Sequence, residues 1–353
     1  MSVNGSFSFF VQWHLTERCN LACTHCYQGE TSPKELSLPQ ILSVMEQIST
    51  MIASWSEAYG IDFTPSFNIT GGEPFLRRDL FRILEAAKAR GVAVYLLTNG
   101  TLIDRQRAKR LSDLGIDGVQ VSLEGPRAIH DLIRGEGNFA RSLSGIGHLT
   151  EVRVPVTLNA TLSRVNYLNF REMIDLAREL RVQRLGFSRL VPSGRGTGLM
   201  DAMLSREEVK RLYGDIFSLD IPELELVTGD PIASEMEDGS GARAFDEVAR
   251  GGCAAAVSGI TLMADGTVTP CRRLPIPIGN VLTDSLREIW ATSEVLQRLR
   301  NRDLYKGKCG RCERWSSCRG CRAIAYAHSF CLGAGDYLAD DPQCFIQIDD
   351  EKH

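Results

Sequence analysis

Between residues 9 and 190, short apolar runs alternate with stretches whose apolar residues recur every three or four positions. That alternation predicts strand–helix units on a mostly parallel sheet. The strands are expected at 9–15, 66–70, 92–98, 118–123, 154–160 and 184–188. Between the first two, Ser37 precedes a stripe of Ile41, Met45, Ile48, Ile52 and Trp55, with Pro39 in the first turn. Leu80, Leu84 and Ala87 make a second stripe closed by Gly91. Asp104 opens a third with Ala108, Leu111 and Leu114, and Asn166 a fourth with Met173, Ile174, Ala177 and Leu180. Six such units are too few for a closed eight-unit barrel, so an open, partial (β/α)6 barrel is expected. By analogy with closed barrels, its chemistry belongs at the C-terminal strand ends.

Further along, Ser205 and Glu208 fit a capping box before Val209, Leu212 and Ile216. A Gly/Asp/Glu-rich stretch at 235–241 reads as a loop. The last third predicts one helix, 286–299, carrying Ile289, Trp290, Leu296 and Leu299. The expected organisation is a barrel core at 1–200, a bridge at 201–245 and a small, loop-rich, cysteine-rich domain at 246–353. A segment so poor in core is better held by metals than by packing alone.

Composition is ordinary for a globular chain of 353 residues, with 43% apolar and 24% charged residues. A formal net charge of −4 gives no reason to expect a nucleic-acid partner. No run of about 18 apolar residues predicts a membrane span. The first ten residues lack the basic start and apolar core of a signal peptide. A cytoplasmic, reducing location is therefore expected, and eleven cysteines there point to metal or redox chemistry. Cys19, Cys23 and Cys26 cluster at the start, and the other eight crowd the region from Cys253 to Cys344.

The first three follow the first predicted strand with C-x3-C-x2-C spacing. Three thiolates can hold three irons of a cubane and leave the fourth open, whereas an electron carrier normally uses four. A zinc site, with His25 as a fourth ligand, and a set of buried thiols are the other readings. The run from Cys19 to Tyr27, with its trailing aromatic, resembles the signature loop of the radical S-adenosylmethionine (SAM) superfamily. Gly71-Gly72-Glu73-Pro74 resembles the segment that meets the methionine amino group in that family. Its glycines let the backbone approach a ligand, and Glu73 can extend the local hydrogen bonding.

The resemblance also implies cofactor contacts by Tyr27 and, at later strand ends, by Asn99, Ser122, Glu124 and Asn159, with Thr161 beside the last. Position 124 is more often Asp in the family. Arg189 and Arg195 are expected to meet the cofactor carboxylate or the substrate, or, for Arg195, to sit in a solvated loop. His130, Asp131 and Arg134 echo a family segment but are expected to cap or pair. The implied reaction is one-electron cleavage of S-adenosylmethionine to a 5′-deoxyadenosyl radical, which abstracts hydrogen from substrate.

The later cysteines resemble a SPASM domain, an auxiliary-cluster module. The resemblance implies one [4Fe-4S] cluster on Cys309, Cys312, Cys318 and Cys344, and a second, proximal one on Cys253, Cys271 and Cys321. Two residues, not the usual three, separate Cys318 from Cys321, and Gly259 stands where some relatives have a fourth proximal ligand. Cys331 is a candidate for that ligand, a free thiol near substrate, or an inert one. Paired C-x2-C units also bind zinc, which keeps a zinc ribbon, and a non-enzymatic iron–sulfur or zinc protein, as alternatives.

The expected function is a maturase that modifies a ribosomally made peptide or protein. The alternative is a radical enzyme acting on a small molecule such as a tetrapyrrole side chain. Ferredoxin or flavodoxin is the expected electron donor. Only about eighteen residues precede Cys19. A peptide is thus expected to use the barrel mouth or a separate recognition protein.

Overall fold

The computed structural model describes residues 6–29, 33–235 and 252–348. Most of the 235–241 stretch lies outside them. Strands β1 (Ser6–His14), β2 (Asp62–Thr70), β3 (Ala93–Thr98), β4 (Gly118–Ser122), β5 (Val156–Leu162) and β6 (Arg184–Arg189) pair in parallel, in chain order. Helices α1 (Leu38–Tyr59), α2 (Leu80–Ala89), α3 (Arg105–Asp113), α4 (Arg127–Arg134), α5 (Asn138–Glu151) and α6 (Phe170–Glu179) connect them. The expected signals act as caps: Asp104 accepts from Arg107 N, and Gln40 Oε1 accepts from Ser37 N at the start of α1. This is the partial barrel that the alternation predicts.

The sheet runs beyond six strands. The bridge supplies α7 (Arg206–Phe217), with its Ser205/Glu208 capping box, and β7 (Glu225–Thr228), parallel to β6. The cysteine-rich region supplies β8 (Gly259–Leu262), parallel to β1, and then β9 (Thr267–Thr269) and β10 (Gly279–Asn280), both antiparallel. Strands of two to four residues carry no readable period. The predicted helix at 286–299 is two, α8 (Leu286–Thr292) and α9 (Glu294–Arg300), because Ser293 leaves helical geometry with ψ 120°. Two more helices follow, α10 (Gly307–Arg311) and α11 (Arg322–Cys331).

Period-two alternation sets what each face of the sheet does. Val11, Trp13, Val119, Val121, Leu158 and Ala160 are buried in one apolar core. Their neighbours Gln12, Gln120, Ser122, Asn159 and Thr161 turn the other way and line the central cavities.

Candidate functional site

The loop after β1 is held from two sides. On one, Gly72 N donates to Thr16 O and Glu73 N to Arg18 O, both at 2.8 Å. A Cβ on Gly71 would stand 2.2 Å from Thr16 O, and one on Gly72 2.2 Å from Arg18 O, so only glycine permits this approach. On the other, Gly196 N donates to Cys26 O, and Arg195 Nη1 donates to Cys23 O at 3.3 Å. Arg195 is thus a buttress of the loop.

Glu73 is fully buried and accepts from Thr98 Oγ1, Asn99 N and Phe75 N. Burial pushes its carboxyl up to about 6, against those hydrogen bonds. Asn99 is also turned to the protein: its Nδ2 reaches Asn20 Oδ1 at 3.0 Å, and its Oδ1 accepts from Thr101 N. Asn20 follows Cys19 directly, so Asn99 steadies the cysteine loop.

Glu124 departs from the expected ribose contact. One carboxylate oxygen accepts from His25 Nε2 at 3.2 Å and from Arg134 Nε at 2.9 Å; the other accepts from Thr161 N at 2.8 Å. Burial alone would raise this carboxyl, but Arg134 and His25 hold it well below the usual range. With its oxygens engaged and no cavity surface, Glu124 is a positioning residue that fixes His25 between Cys23 and Cys26. Arg134 pairs with Glu124, Asp131 accepts from Phe139 N, and His130 Nδ1 accepts from Glu124 N. These are the capping and pairing roles expected of that segment.

Cys23, Cys26 and Tyr27 border a cavity of about 140 Å³ that Gly71, Ser122, Asn159 and Thr161 also line. Backbone, hydroxyl and amide groups facing the thiols of Cys23 and Cys26 fit a zwitterionic, hydroxyl-rich cofactor beside a cubane. Burial pushes the Cys19 thiol up to about 11 and raises Cys23, so their ionisation depends on bound metal.

Arg189 is a second correction. Its guanidinium donates to Asp230, Asp341 and Gln343 through all three nitrogens, and it is 1% exposed. No donor remains for a cofactor carboxylate. Instead it ties β6 to the chain end, where Asp341 also accepts from Cys321 N at 2.9 Å.

Cys309, Cys312, Cys318 and Cys344 border one small cavity, and Arg322 Nη2 lies 3.4 Å from Cys309 Sγ. Cys253, Cys271 and Cys321 border a larger one of about 360 Å³. Each cavity thus brings together the thiols of one of the two expected sets. Cys331 joins neither: Cys321 caps the start of α11 and Cys331 ends it, ten residues or about 15 Å away. It is exposed, with its Sγ 3.9 Å from Thr197 O, so the proposed ligand role falls.

Sequence reading missed Arg272 and Arg273, which line both the 140 Å³ and the 360 Å³ cavities. Their position directly after Cys271 was the available signal.

Residues 13–180 match the model of the Radical SAM superfamily, and 253–322 that of SPASM, an iron-sulfur cluster-binding domain. An AdoMet-dependent heme synthase of Methanosarcina barkeri is 31% identical, covering 96% of each chain. The mycofactocin maturase MftC of Mycobacterium tuberculosis is 29% identical, covering 95% of this chain and 82% of its own. Streptococcus suis SuiB bound to S-adenosylmethionine superposes with a TM-score of 0.69 at 19% identity, covering 95% of this chain and 74% of its own.

Proposed function

The chain belongs to the radical SAM superfamily, and from that premise we propose that it transforms a small, carboxylate-bearing tetrapyrrole. It is an enzyme that uses S-adenosylmethionine and [4Fe-4S] clusters. When bound, these supply one-electron chemistry that removes a hydrogen atom from an unactivated carbon. In this reading Cys19, Cys23 and Cys26 hold the catalytic cluster on a loop braced by Gly72, Glu73 and Gly196. Gly71, Ser122, Asn159 and Thr161 orient the cofactor. Cys309, Cys312, Cys318 and Cys344 hold the distal auxiliary cluster, and Cys253, Cys271 and Cys321 the proximal one. The barrel wall keeps water from the reacting carbon.

The observation that carries the substrate class is the 360 Å³ cavity that adjoins the cofactor cavity, one wall of which carries the three proximal-cluster thiols. It combines apolar walls, among them Phe10, Phe187 and Ile324, with the cationic pair Arg272 and Arg273. A tetrapyrrole offers the matching apolar ring and anionic side chains. The heme synthase likeness, matched over nearly the whole of both chains, supports the same class. Likeness to MftC supports the second reading, a peptide substrate. Among the described residues no helix is long and apolar enough to cross a membrane. A cytoplasmic ferredoxin or flavodoxin is the proposed electron donor.

Anaerobically reconstituted enzyme should convert iron coproporphyrin III to a porphyrin of altered mass, with matching formation of 5′-deoxyadenosine. Turnover indifferent to porphyrin but stimulated by a cysteine-rich peptide would overturn the proposal in favour of the second reading.

A further inference from the structure

Two adjacent arginines sit where the cofactor cavity meets the larger cavity. Arg272 and Arg273 line both, and neither is ion-paired among the described residues. Arg273 spends one contact on Arg189 O, at 3.3 Å, while its Nε is buried without a partner. Arg272 makes no hydrogen bond among the described residues; its guanidinium lies 5.9 Å from the centre of the Tyr27 ring. Leaving guanidinium donors unpaired inside a protein is costly. Asp230, which lines the larger cavity with them, is held by Arg189 and Tyr213. The thiols of Cys271 and Cys321 line the same cavity as the pair.

We propose that Arg272 and Arg273 form a carboxylate clamp that grips an anionic side chain of the substrate and places its carbon chain at the mouth of the cofactor cavity. Guanidinium groups match a carboxylate through paired N–H donors, and burial strengthens that match. Tyr27, directly after Cys26, backs Arg272, so the clamp is referenced to the cluster loop itself. A carboxylate held here lies on the shared wall with Asn159 and Gln120, between the two cavities. The clamp rests on the proposed substrate class and adds the feature that the site recognises.

The test compares coproporphyrin III with its tetramethyl ester as ligands of the reconstituted holoenzyme, read by the shift of the porphyrin absorption band. Wild type should bind the acid at least about tenfold more tightly than the ester, as expected for charge-assisted pairing. Arg272→Gln and Arg273→Gln should each weaken acid binding and erase most of that preference, with iron content unchanged. Equal binding of acid and ester by wild type would overturn the clamp while leaving the tetrapyrrole reading intact. Binding of neither would overturn both. Variants that lose iron yet keep the acid preference would also overturn it, assigning the arginines to charge compensation of the auxiliary cluster.

Discussion

Replacing Gly72 with Ala tests the bracing of the cysteine loop. The added Cβ would lie 2.2 Å from Arg18 O, 2.5 Å from Arg18 C and 2.8 Å from Glu17 O. All three atoms are backbone, so no side chain can swing away. To reach 3.0 Å from Arg18 O the two segments must part by at least about 0.8 Å. The hydrogen bonds from Gly72 N to Thr16 O and from Glu73 N to Arg18 O, both 2.8 Å, would stretch beyond useful length. Losing two such bonds costs about 2 kcal/mol, and overpacking adds about 1–3 kcal/mol, so roughly 3–5 kcal/mol is expected. The strain falls one residue before Cys19. In reconstituted Gly72→Ala, the cluster signal that responds to S-adenosylmethionine in electron paramagnetic resonance should be lost, while iron of the C-terminal domain remains. Full iron, an unchanged response and an unshifted melting temperature would refute this account of the loop.

Exchanging Glu124 for Gln leaves Arg134 buried without its anion, which should cost about 3–5 kcal/mol and lower the melting temperature. Unaltered stability would mean that the pair contributes nothing. The Glu73 carboxyl is raised from 4.5 to about 6, so its burial penalty is absent in acid and grows as pH rises through that interval. Stability should fall by about 1 kcal/mol between those values, and the slope should flatten in Glu73→Gln; an equal slope in both proteins would discount the carboxyl. Cys331→Ala should keep the iron and sulfide of wild type, and loss of a cluster's iron would restore its ligand role. Cys318→Ala should remove the distal cluster and leave S-adenosylmethionine binding intact; retention of all iron would refute the four-thiol assignment.

The strand–helix core was readable because each local signal agrees with the tertiary contact that uses it. Asp104 caps in sequence and in space, and the apolar stripe of Ile41, Met45, Ile48 and Ile52 is the buried face of α1. The cysteine loop was readable from spacing alone, since three thiols within eight residues must share one loop. The auxiliary sets could be paired only through resemblance, because spacing does not say which distant thiols meet.

What sequence could not show is which polar strand-end residues face inward and which are taken by neighbours. Glu124 and Asn159 lie on or just after adjacent strands and looked alike as cofactor contacts. Arg134, from a helix ten residues on, occupies Glu124 and leaves Asn159 facing the cavity. Arg189 was hidden in the same way, because Asp341 lies 152 residues away and reaches it only after the chain end folds back over β6. That return also explains Cys331. Ten residues are enough for a loop to return Cys331 to Cys321, but Arg322–Cys331 forms a helix. A rigid helix converts closeness in sequence into about 15 Å in space. The same helix carries Arg322 and Ile324 to the inner cavity while its last turn leaves Phe330 and Leu332 exposed. One element thereby walls the proposed substrate cavity at its start and ends at the surface, which is why its first residues, and not Cys331, bear on the chemistry.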